Sequence, residues 1–294
     1  MDDLQPWLKA QQKQVDTALG GFLPRASAAP RTIHKAMRYS VFAGGKRLRP
    51  ILCLAAAEAC GGETEHALAP ACATEIMHTY SLVHDDLPCM DDDDLRRGRP
   101  TSHKIFGEGM AVLTGDALLT EVFTIIAQTP SCKRYEVKDY VMEIASTGGS
   151  RRLIGGQVLD LEGEGQSLSK QNLIRIHEAK TAALLTSSVR LGGMTANATP
   201  RKLDALTTFG YNLGLAFQVI DDILDVTQTT EMLGKTAGKD EAVAKSTYPA
   251  ILGLEKSRNE AARLTRKALK ALDVFGKKGK RLEQIARYLL EREY

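Results

Sequence analysis

Residues 85–101 read DDLPCMDDDDLRRGRPT, and this stretch is the most informative part of the chain. Six carboxylates fall within ten residues there, and they repel one another unless a cation lies among them. Mg²⁺ prefers carboxylates together with phosphate oxygens and water. The two arginines that follow suit forked hydrogen bonds to phosphate. The stretch therefore predicts a metal–diphosphate site, although Asp91–Asp94 alone would more often be a solvated surface loop.

A second acidic cluster, at residues 221–225, reads DDILD and lies in the apolar run Tyr211–Val226. The spacing of that run fits a buried helix. Asp221 and Asp225 are four residues apart, so they share one helical face, where like charges destabilise a helix unless a cation binds them. The run therefore predicts a second set of metal ligands.

The first cluster needs a different geometry, because Asp85 and Asp91 are six residues apart and would not share a face of a straight helix. Pro88 disfavours helix at the residue before it and removes an amide donor. We therefore expect the preceding helix to end or bend near Pro88, which lets the two carboxylates converge.

The chain also carries sequence motifs in a fixed order. They are Gly44–Pro50 (GGKRLRP), His78, Asp85–Asp91 with Arg96–Gly98, Gly156–Asp160 (GQVLD), Lys180-Thr181, Phe217–Asp225 (FQVIDDILD), Gly234–Asp240 (GKTAGKD) and Lys245–Pro249 (KSTYP). Together, from about Arg31 to the C-terminus, they resemble the trans-isoprenyl diphosphate synthases, and most closely the bacterial farnesyl diphosphate synthases. Each motif alone is only suggestive, and all of them in this order are specific.

The fold is predicted to be all-α. Alanine and leucine recur throughout the 294 residues, and alternating β-branched runs are nearly absent. Glycine pairs and prolines mark short breaks between helical stretches, and no linker or fixed-period repeat stands out. The prediction is one helical domain over residues 1–294, and the resemblance implies a large isoprenoid-synthase bundle with a central active-site cavity.

The basic motif has two interpretations when it is considered alone. Its glycines let the backbone approach an anion, and three cations in four residues favour phosphate, yet a basic surface turn fits equally well. His78 on an apolar helix would by itself more often be a core histidine. The resemblance implies instead an isopentenyl diphosphate site formed by Gly45, Lys46, Arg49, His78 and Arg97.

The resemblance also implies roles for the remaining site residues. Mg²⁺ (about three ions, with Mn²⁺ as a substitute) would hold the allylic diphosphate and stabilise its departure. The metal ligands would be Asp85, Asp91 and Asp221, with Asp86, Asp222 and Asp225 as further ligands or partners of metal-bound water. Arg96, Lys180 and Lys235 would add positive charge, while Thr181 and Gln218 would present oxygens to the allylic cation.

The predicted product is (2E,6E)-farnesyl diphosphate (C15). Tyr80 and Ser81 lie five and four residues before Asp85, about 6–7.5 Å along a helix, so Tyr80 can form the floor of the chain-elongation pocket or simply belong to the core. A C20 or C10 synthase is the alternative. A terpene cyclase would not need the second basic site, and a non-catalytic subunit would be expected to lack some acidic ligands.

Composition limits partners and location. A net charge of +3 is too small to indicate nucleic-acid binding. No apolar run approaches the ~18–20 residues of a membrane span, and the N-terminus lacks the pattern of a signal peptide. Five cysteines without metal-like spacing fit a reducing compartment. The protein is therefore predicted to be cytoplasmic, and the resemblance implies a homodimer.

Overall fold

The computed structural model describes residues 3–227 and 246–290, and it confirms the all-α fold. The helices are α1 Leu4–Phe22, α2 Arg31–Val41, α3 Leu48–Cys60, α4 Thr64–Asp85, α5 Ser102–Phe106, α6 Glu108–Ile126, α7 Val137–Gly148, α8 Leu153–Gly163, α9 Lys170–His177, α10 Ala183–Thr195, α11 Pro200–Thr227, α12 Tyr248–Leu252, α13 Leu254–Ala271 and α14 Lys280–Leu290. A π-helical turn, Glu178–Ala182, joins α9 to α10, and a 3₁₀ segment, Leu272–Gly279, joins α13 to α14. Two short antiparallel strands, β1 Leu95–Arg96 and β2 Arg99–Pro100, follow α4.

Helix α10 lies at the centre of the bundle, where it packs against α3, α4 and α11. Nearly all of its residues are buried. Small residues make this central position possible: a Cβ on Gly192 would lie 2.8 Å from the carbonyl carbon of Cys53, so α3 and α10 come too close there for a larger residue. The central helix thereby holds α4 and α11 in fixed positions.

The two acidic motifs lie on these two helices. Asp85 is the last residue of α4, and Asp221–Asp225 lie on α11. A carboxylate at a helix C-terminus opposes the helix dipole, so the end of α4 favours a bound cation. The bundle therefore presents the two acidic motifs on the two helices that pack against α10.

Helix α6 is long and apolar enough to cross a membrane by length and composition, which the sequence analysis did not anticipate. Core helices of soluble proteins meet the same criterion, so it is weak evidence of a membrane span. Here α6 packs against α4, and residues including Ala111, Leu118 and Val122 are fully buried in the core that they share. The face of α6 that carries these residues therefore belongs to the core, while Val112 and Leu113 on the same helix are exposed.

Candidate active site

The end of α4 brings Asp85 and Asp91 together as predicted. The chain turns sharply after the helix, and the backbone N–H of Asp91 donates to the carbonyl oxygen of Asp85 at 2.8 Å. Pro88 lies in this turn, where its missing N–H and fixed φ prevent the helix from continuing. The break therefore places both residues at one end of α4.

The carboxyl of Asp85 is in an environment that disfavours its charge. Its pKa is raised to about 6: burial is the main cause, Asp91 and Asp86 act in the same direction, and Lys180 and Arg96 oppose the shift. A carboxylate that is partly desolvated among other carboxylates is stabilised by a cation. The carboxylates of Asp85, Asp86 and Asp91 offer oxygen ligands, the type that Mg²⁺ prefers, so these residues fit that ion.

Asp86 and Arg96 form an ion pair. Both Nε (3.0 Å) and Nη2 of Arg96 donate to Oδ1 of Asp86, and Nη2 also donates to Asp93 at 3.0 Å. Burial raises the pKa of Asp86, and the bond from Arg96 opposes that shift. In this structure Arg96 thus neutralises the acidic loop, and the predicted contact with diphosphate would require a change of partner.

The predicted isopentenyl diphosphate residues form a cluster of positive charge. Burial, and then the charges of Arg49 and Arg97, lower the pKa of His78 well below its usual value. Burial also lowers the pKa of Arg49 to about 10, with Arg97 adding to the effect. Nε of Arg49 is buried without a partner among residues 3–227 and 246–290. Such a cluster favours a bound anion.

Glycine is required where this cluster meets the loop before α3. Nη1 of Arg97 donates to the carbonyl oxygen of Gly44. Gly45 has a φ of +115°, and a Cβ there would collide with the Arg97 guanidinium. Lys46 is exposed beside it. The glycines therefore allow the backbone to approach the arginine closely.

Arg47, the remaining cation of the basic motif, is structural. It is 3% exposed and donates to Asp16 and Glu75, each at 2.8 Å, and to the carbonyl oxygen of Val41. These bonds join the loop to α1 and α4. Because they occupy the guanidinium, Arg47 is not available to bind substrate.

A second group of polar contacts surrounds the π-helical turn. Nζ of Lys180 donates to Oδ2 of Asp160 at 2.6 Å. Thr181 Oγ1 donates to Oε1 of Gln218 at 3.1 Å, and Gln218 Nε2 donates to Oδ1 of Asp222 at 3.1 Å. The structure thus joins the predicted residues Lys180, Thr181 and Gln218 to two carboxylates.

Two cavities meet at this turn, because Lys180 and Thr181 line both. The larger has a volume of about 510 Å³ and is mostly apolar; Arg49, His78 and Asp85 are among its polar lining residues. The smaller, of about 210 Å³, is polar and includes Gln218 and Asp222 in its lining. An apolar cavity that also contains charged groups suits a molecule with a hydrocarbon tail and an anionic head.

The other predicted residues are placed less directly. Asp221 is partly exposed, and Asp225 is 7% exposed one helical turn later. Tyr80 is 4% exposed and, with Ser81, lines the apolar cavity. Lys235 lies outside the described residues.

The structure adds functional residues that sequence reasoning left without a role. Asp160 pairs with Lys180, and His177 lines the polar cavity. Asp160 belongs to a motif that was recognised, but its partner lies twenty residues away and no spacing rule connects them. In the sequence, the only indication that His177 belongs to the site is its position about one helical turn before Lys180.

A further group of metal-type ligands lies on the surface. Atoms of Asp92, Asp94 and His103 are within 4.8 Å of one another. Asp94 already pairs with Lys104 at 2.7 Å, and the His103 ring is in hydrogen-bond contact with Thr101. These contacts account for the cluster without an ion.

Comparison with known proteins places these observations in a family. The polyprenyl synthetase family model matches residues 30–288. This chain belongs to the polyprenyl synthetase family. It is 51% identical over 267 residues to a chloroplastic geranylgeranyl pyrophosphate synthase of Capsicum annuum, covering 90% of this chain and 72% of that protein. The chain is therefore a prenyltransferase of isoprenoid biosynthesis, acting on isoprenyl diphosphates.

Solved structures of the family have the same fold. An FPP/GFPP synthase from Zymomonas mobilis superposes with a TM-score of 0.86 at 33% identity, covering 98% of this chain and 99% of that one. A geranyltransferase from Helicobacter pylori, complexed with magnesium and isoprenyl diphosphate, gives a TM-score of 0.83 at 33% identity, covering 99% and 97%. The family assignment predicted from the motifs is thus confirmed.

Proposed function

We propose that this prenyltransferase condenses isopentenyl diphosphate with an allylic diphosphate, and that residues 1–294 act as one catalytic domain. The observation that carries the proposal is that Asp85, from the acidic motif, and Arg49 and His78, from the basic cluster, line one cavity. Two differently charged subsites at one cavity suit two diphosphate substrates. A terpene cyclase, which takes a single prenyl diphosphate, has no use for the second subsite.

The residues divide the work of the reaction. Arg49, His78 and Arg97 hold the diphosphate of isopentenyl diphosphate through charge and hydrogen bonds. Mg²⁺ held by Asp85, Asp91 and Asp221 supplies Lewis-acid stabilisation of the negative charge on the departing allylic diphosphate. Lys180 adds a fixed positive charge beside the same group, as Lys235 is also proposed to do.

The oxygens of Thr181 and Gln218 stabilise the allylic cation. Their side chains are hydrogen-bonded at 3.1 Å, and Asp222 fixes the amide of Gln218 so that its carbonyl oxygen faces Thr181. The double bond of isopentenyl diphosphate attacks the cation, and the departing diphosphate takes the proton that is lost. The apolar lining of the larger cavity suits an allylic cation, which water would quench.

The first candidate product is geranylgeranyl diphosphate (C20), the alternative of the sequence analysis. It is favoured by the Capsicum annuum relative, which is 51% identical over most of this chain and carries that activity in its name. This similarity weighs more than the expectation of a C15 product, which rested on the resemblance to bacterial farnesyl diphosphate synthases, on the aromatic Tyr80 and on the Pro88-Cys89 insertion.

Farnesyl diphosphate (C15) is the second candidate, and a specific contact favours it. Tyr80 lines the apolar cavity five residues before Asp85 on α4, and its ring packs edge-on against His84 with centroids 6.0 Å apart. A buried phenol ring in that position limits the length of a tail that grows along α4. The Zymomonas mobilis neighbour, an FPP/GFPP synthase, is compatible with this product.

Homodimerisation is part of the proposal. Two large apolar side chains that line neither cavity are exposed: Leu113 on α6 is 56% exposed and Met142 on α7 is 66% exposed. Exposed apolar residues on two helices suit an interface between two copies of the chain. Sedimentation of the purified protein would give its mass, and a monomer at micromolar concentration would contradict this point.

The test is incubation of the protein with Mg²⁺, labelled isopentenyl diphosphate and either dimethylallyl or geranyl diphosphate. Chromatography of the products gives the chain length, with a chelator as the control. A C20 product supports the first candidate, and a C15 product the second. A lack of condensation would favour a cyclase or a non-catalytic subunit instead. A near-normal rate for Asp85→Ala would contradict the proposal that Asp85 binds the metal.

A further inference from the structure

His177 lines the polar cavity of about 210 Å³ but has no role in the scheme above. It is the last residue of α9 and is 8% exposed. Its Nδ1 is buried and has no hydrogen-bond partner within the part of the chain that the structure describes. A buried polar atom without a partner destabilises the fold, so its presence requires an explanation.

Packing alone does not explain a histidine here. The ring stacks on Tyr248, with centroids 5.5 Å apart and planes inclined at 29°. The backbone N–H of Tyr248 donates to Oδ2 of Asp222 at 2.9 Å, which anchors the stacked pair to α11. A phenylalanine would stack equally well without burying an unpaired nitrogen. The nitrogen therefore indicates a partner that arrives with a ligand.

The charge of the ring defines what that partner can be. Burial lowers the pKa of His177 to about 4; nearby Asp160 opposes this effect and Lys180 adds to it. The ring is therefore neutral at pH 7 and has one N–H donor and one acceptor nitrogen. A neutral donor can bind an oxygen of a diphosphate without adding another buried charge to a cavity that already contains Lys180.

The other residues of the cavity have the chemistry of a metal–diphosphate site. Lys180 supplies a cation, while Asp160 and Asp222 supply carboxylates. The π-helical turn begins directly after His177, so α9 delivers the histidine, Lys180 and Thr181 to one cavity. These groups match the head of an isoprenyl diphosphate bound with Mg²⁺.

We propose that His177 contacts the diphosphate of the allylic substrate, with Nδ1–H donating a hydrogen bond to a diphosphate oxygen in the polar cavity. The stack on Tyr248 restricts the orientation of the ring, and because Nδ1 has almost no accessible surface in this structure, the bond requires neighbouring side chains to shift when the diphosphate binds. The inference rests on the proposed function and deepens it, because it assigns a neutral hydrogen-bond donor to the diphosphate subsite beside the cation Lys180.

The test is calorimetric binding of inorganic diphosphate in the presence of Mg²⁺ to the full-length protein and three variants. His177→Phe keeps the stack and removes the nitrogens, His177→Asn places an amide near the position of Nδ1, and His177→Gln places one near Nε2. His66→Phe, at an exposed position of α4, is the matched control. Melting temperatures measured in parallel report on folding.

We expect His177→Phe and His177→Gln to bind magnesium diphosphate about tenfold more weakly than the wild type, the loss of one hydrogen bond. His177→Asn should recover most of the affinity, which a purely structural role would not predict. Wild-type affinity in His177→Phe would overturn the assignment. If His177→Phe does not fold, equal affinities of the Asn and Gln variants would overturn it instead.

The product assay separates this inference from the proposed function. A wild-type protein that condenses its substrates, but whose diphosphate affinity does not depend on residue 177, overturns the role of His177 alone. Affinity that depends on His177 in a protein that does not condense the substrates supports the binding role and overturns the proposed reaction.

Discussion

Nζ of Lys180 lies 2.6 Å from Oδ2 of Asp160, and this ion pair joins α8 to the π-helical turn. Both side chains are largely buried, with 28% and 18% of their surface exposed. The pair therefore holds the ammonium group in one place at the boundary of the two cavities. A substrate diphosphate meets a lysine that is already oriented, which lowers the entropy cost of binding.

Asp160→Asn should lower kcat/KM for the allylic substrate about 10–100-fold, because a charge-assisted hydrogen bond of about 1.5–3 kcal/mol no longer orients Lys180. Steady-state kinetics with varied allylic diphosphate would measure this. Glu162→Gln, an exposed position on the same helix, should leave the kinetics unchanged. Unaltered kinetics in Asp160→Asn would show that Lys180 needs no partner.

Asp222→Asn should destabilise the protein by about 1–3 kcal/mol. Asp222 accepts from both the amide of Gln218 and the backbone N–H of Tyr248, whereas an asparagine has only one acceptor oxygen. One buried donor would then face another donor. Urea unfolding monitored by circular dichroism measures the loss.

Asp221→Asn is the matched control for that experiment. Asp221 is partly exposed and proposed as a metal ligand, so its substitution should reduce turnover far more than stability. The two substitutions should therefore have different effects: Asp222→Asn should mainly reduce folding stability, and Asp221→Asn should mainly reduce metal-dependent activity. Equal effects of both changes on stability would contradict the positioning role of Asp222.

Much of the site could be predicted from the sequence because its charges are concentrated. Acidic motifs in apolar helices indicate metal ligands, and Pro88 indicates the break that lets Asp85 and Asp91 converge. The partners of these residues could not be predicted in the same way. Arg96 pairs with Asp86 through a loop whose path depends on β1 and β2, and no local rule defines that path.

Helix α8 contains the pair Gly155-Gly156, which by local pattern is typical of a break. The structure uses Gly156 for a close contact instead: a Cβ there would lie 2.8 Å from the carbonyl carbon of Ala179. Helix α8 therefore packs against the π-helical turn, and this contact sets the distance between Asp160 and Lys180. A glycine chosen for tertiary packing cannot be told from a helix breaker by local pattern alone.

Tyr80→Ala should lengthen the product by one isoprene unit if the wild type makes C15. The ring of Tyr80 is 4% exposed at the wall of the apolar cavity, and its removal opens space along α4. Chromatography of the chain lengths, with Tyr39→Ala on α2 as the control, would measure the shift. An unchanged product distribution would indicate that Tyr80 is only a core residue and that another side chain limits the tail.

The neutral state of His177 has a consequence for stability. Burial lowers its pKa from the usual 6.5 to about 4 in the folded protein. Between these two values the unfolded chain binds a proton that the folded protein does not, so acid favours unfolding. The contribution is fully present above about pH 6.5 and is lost as the pH falls to about 4.

Between pH 7 and pH 4, the free energy of unfolding of the wild type should therefore fall by up to about 3 kcal/mol more than that of His177→Phe. Urea titrations of both proteins at half-unit pH intervals would measure the difference. Other groups that titrate in this range, such as His78 and Asp85, are present in both proteins and cancel. Parallel pH profiles would mean that His177 is protonated in the folded state as readily as in the unfolded chain, which would contradict a neutral donor in the diphosphate subsite.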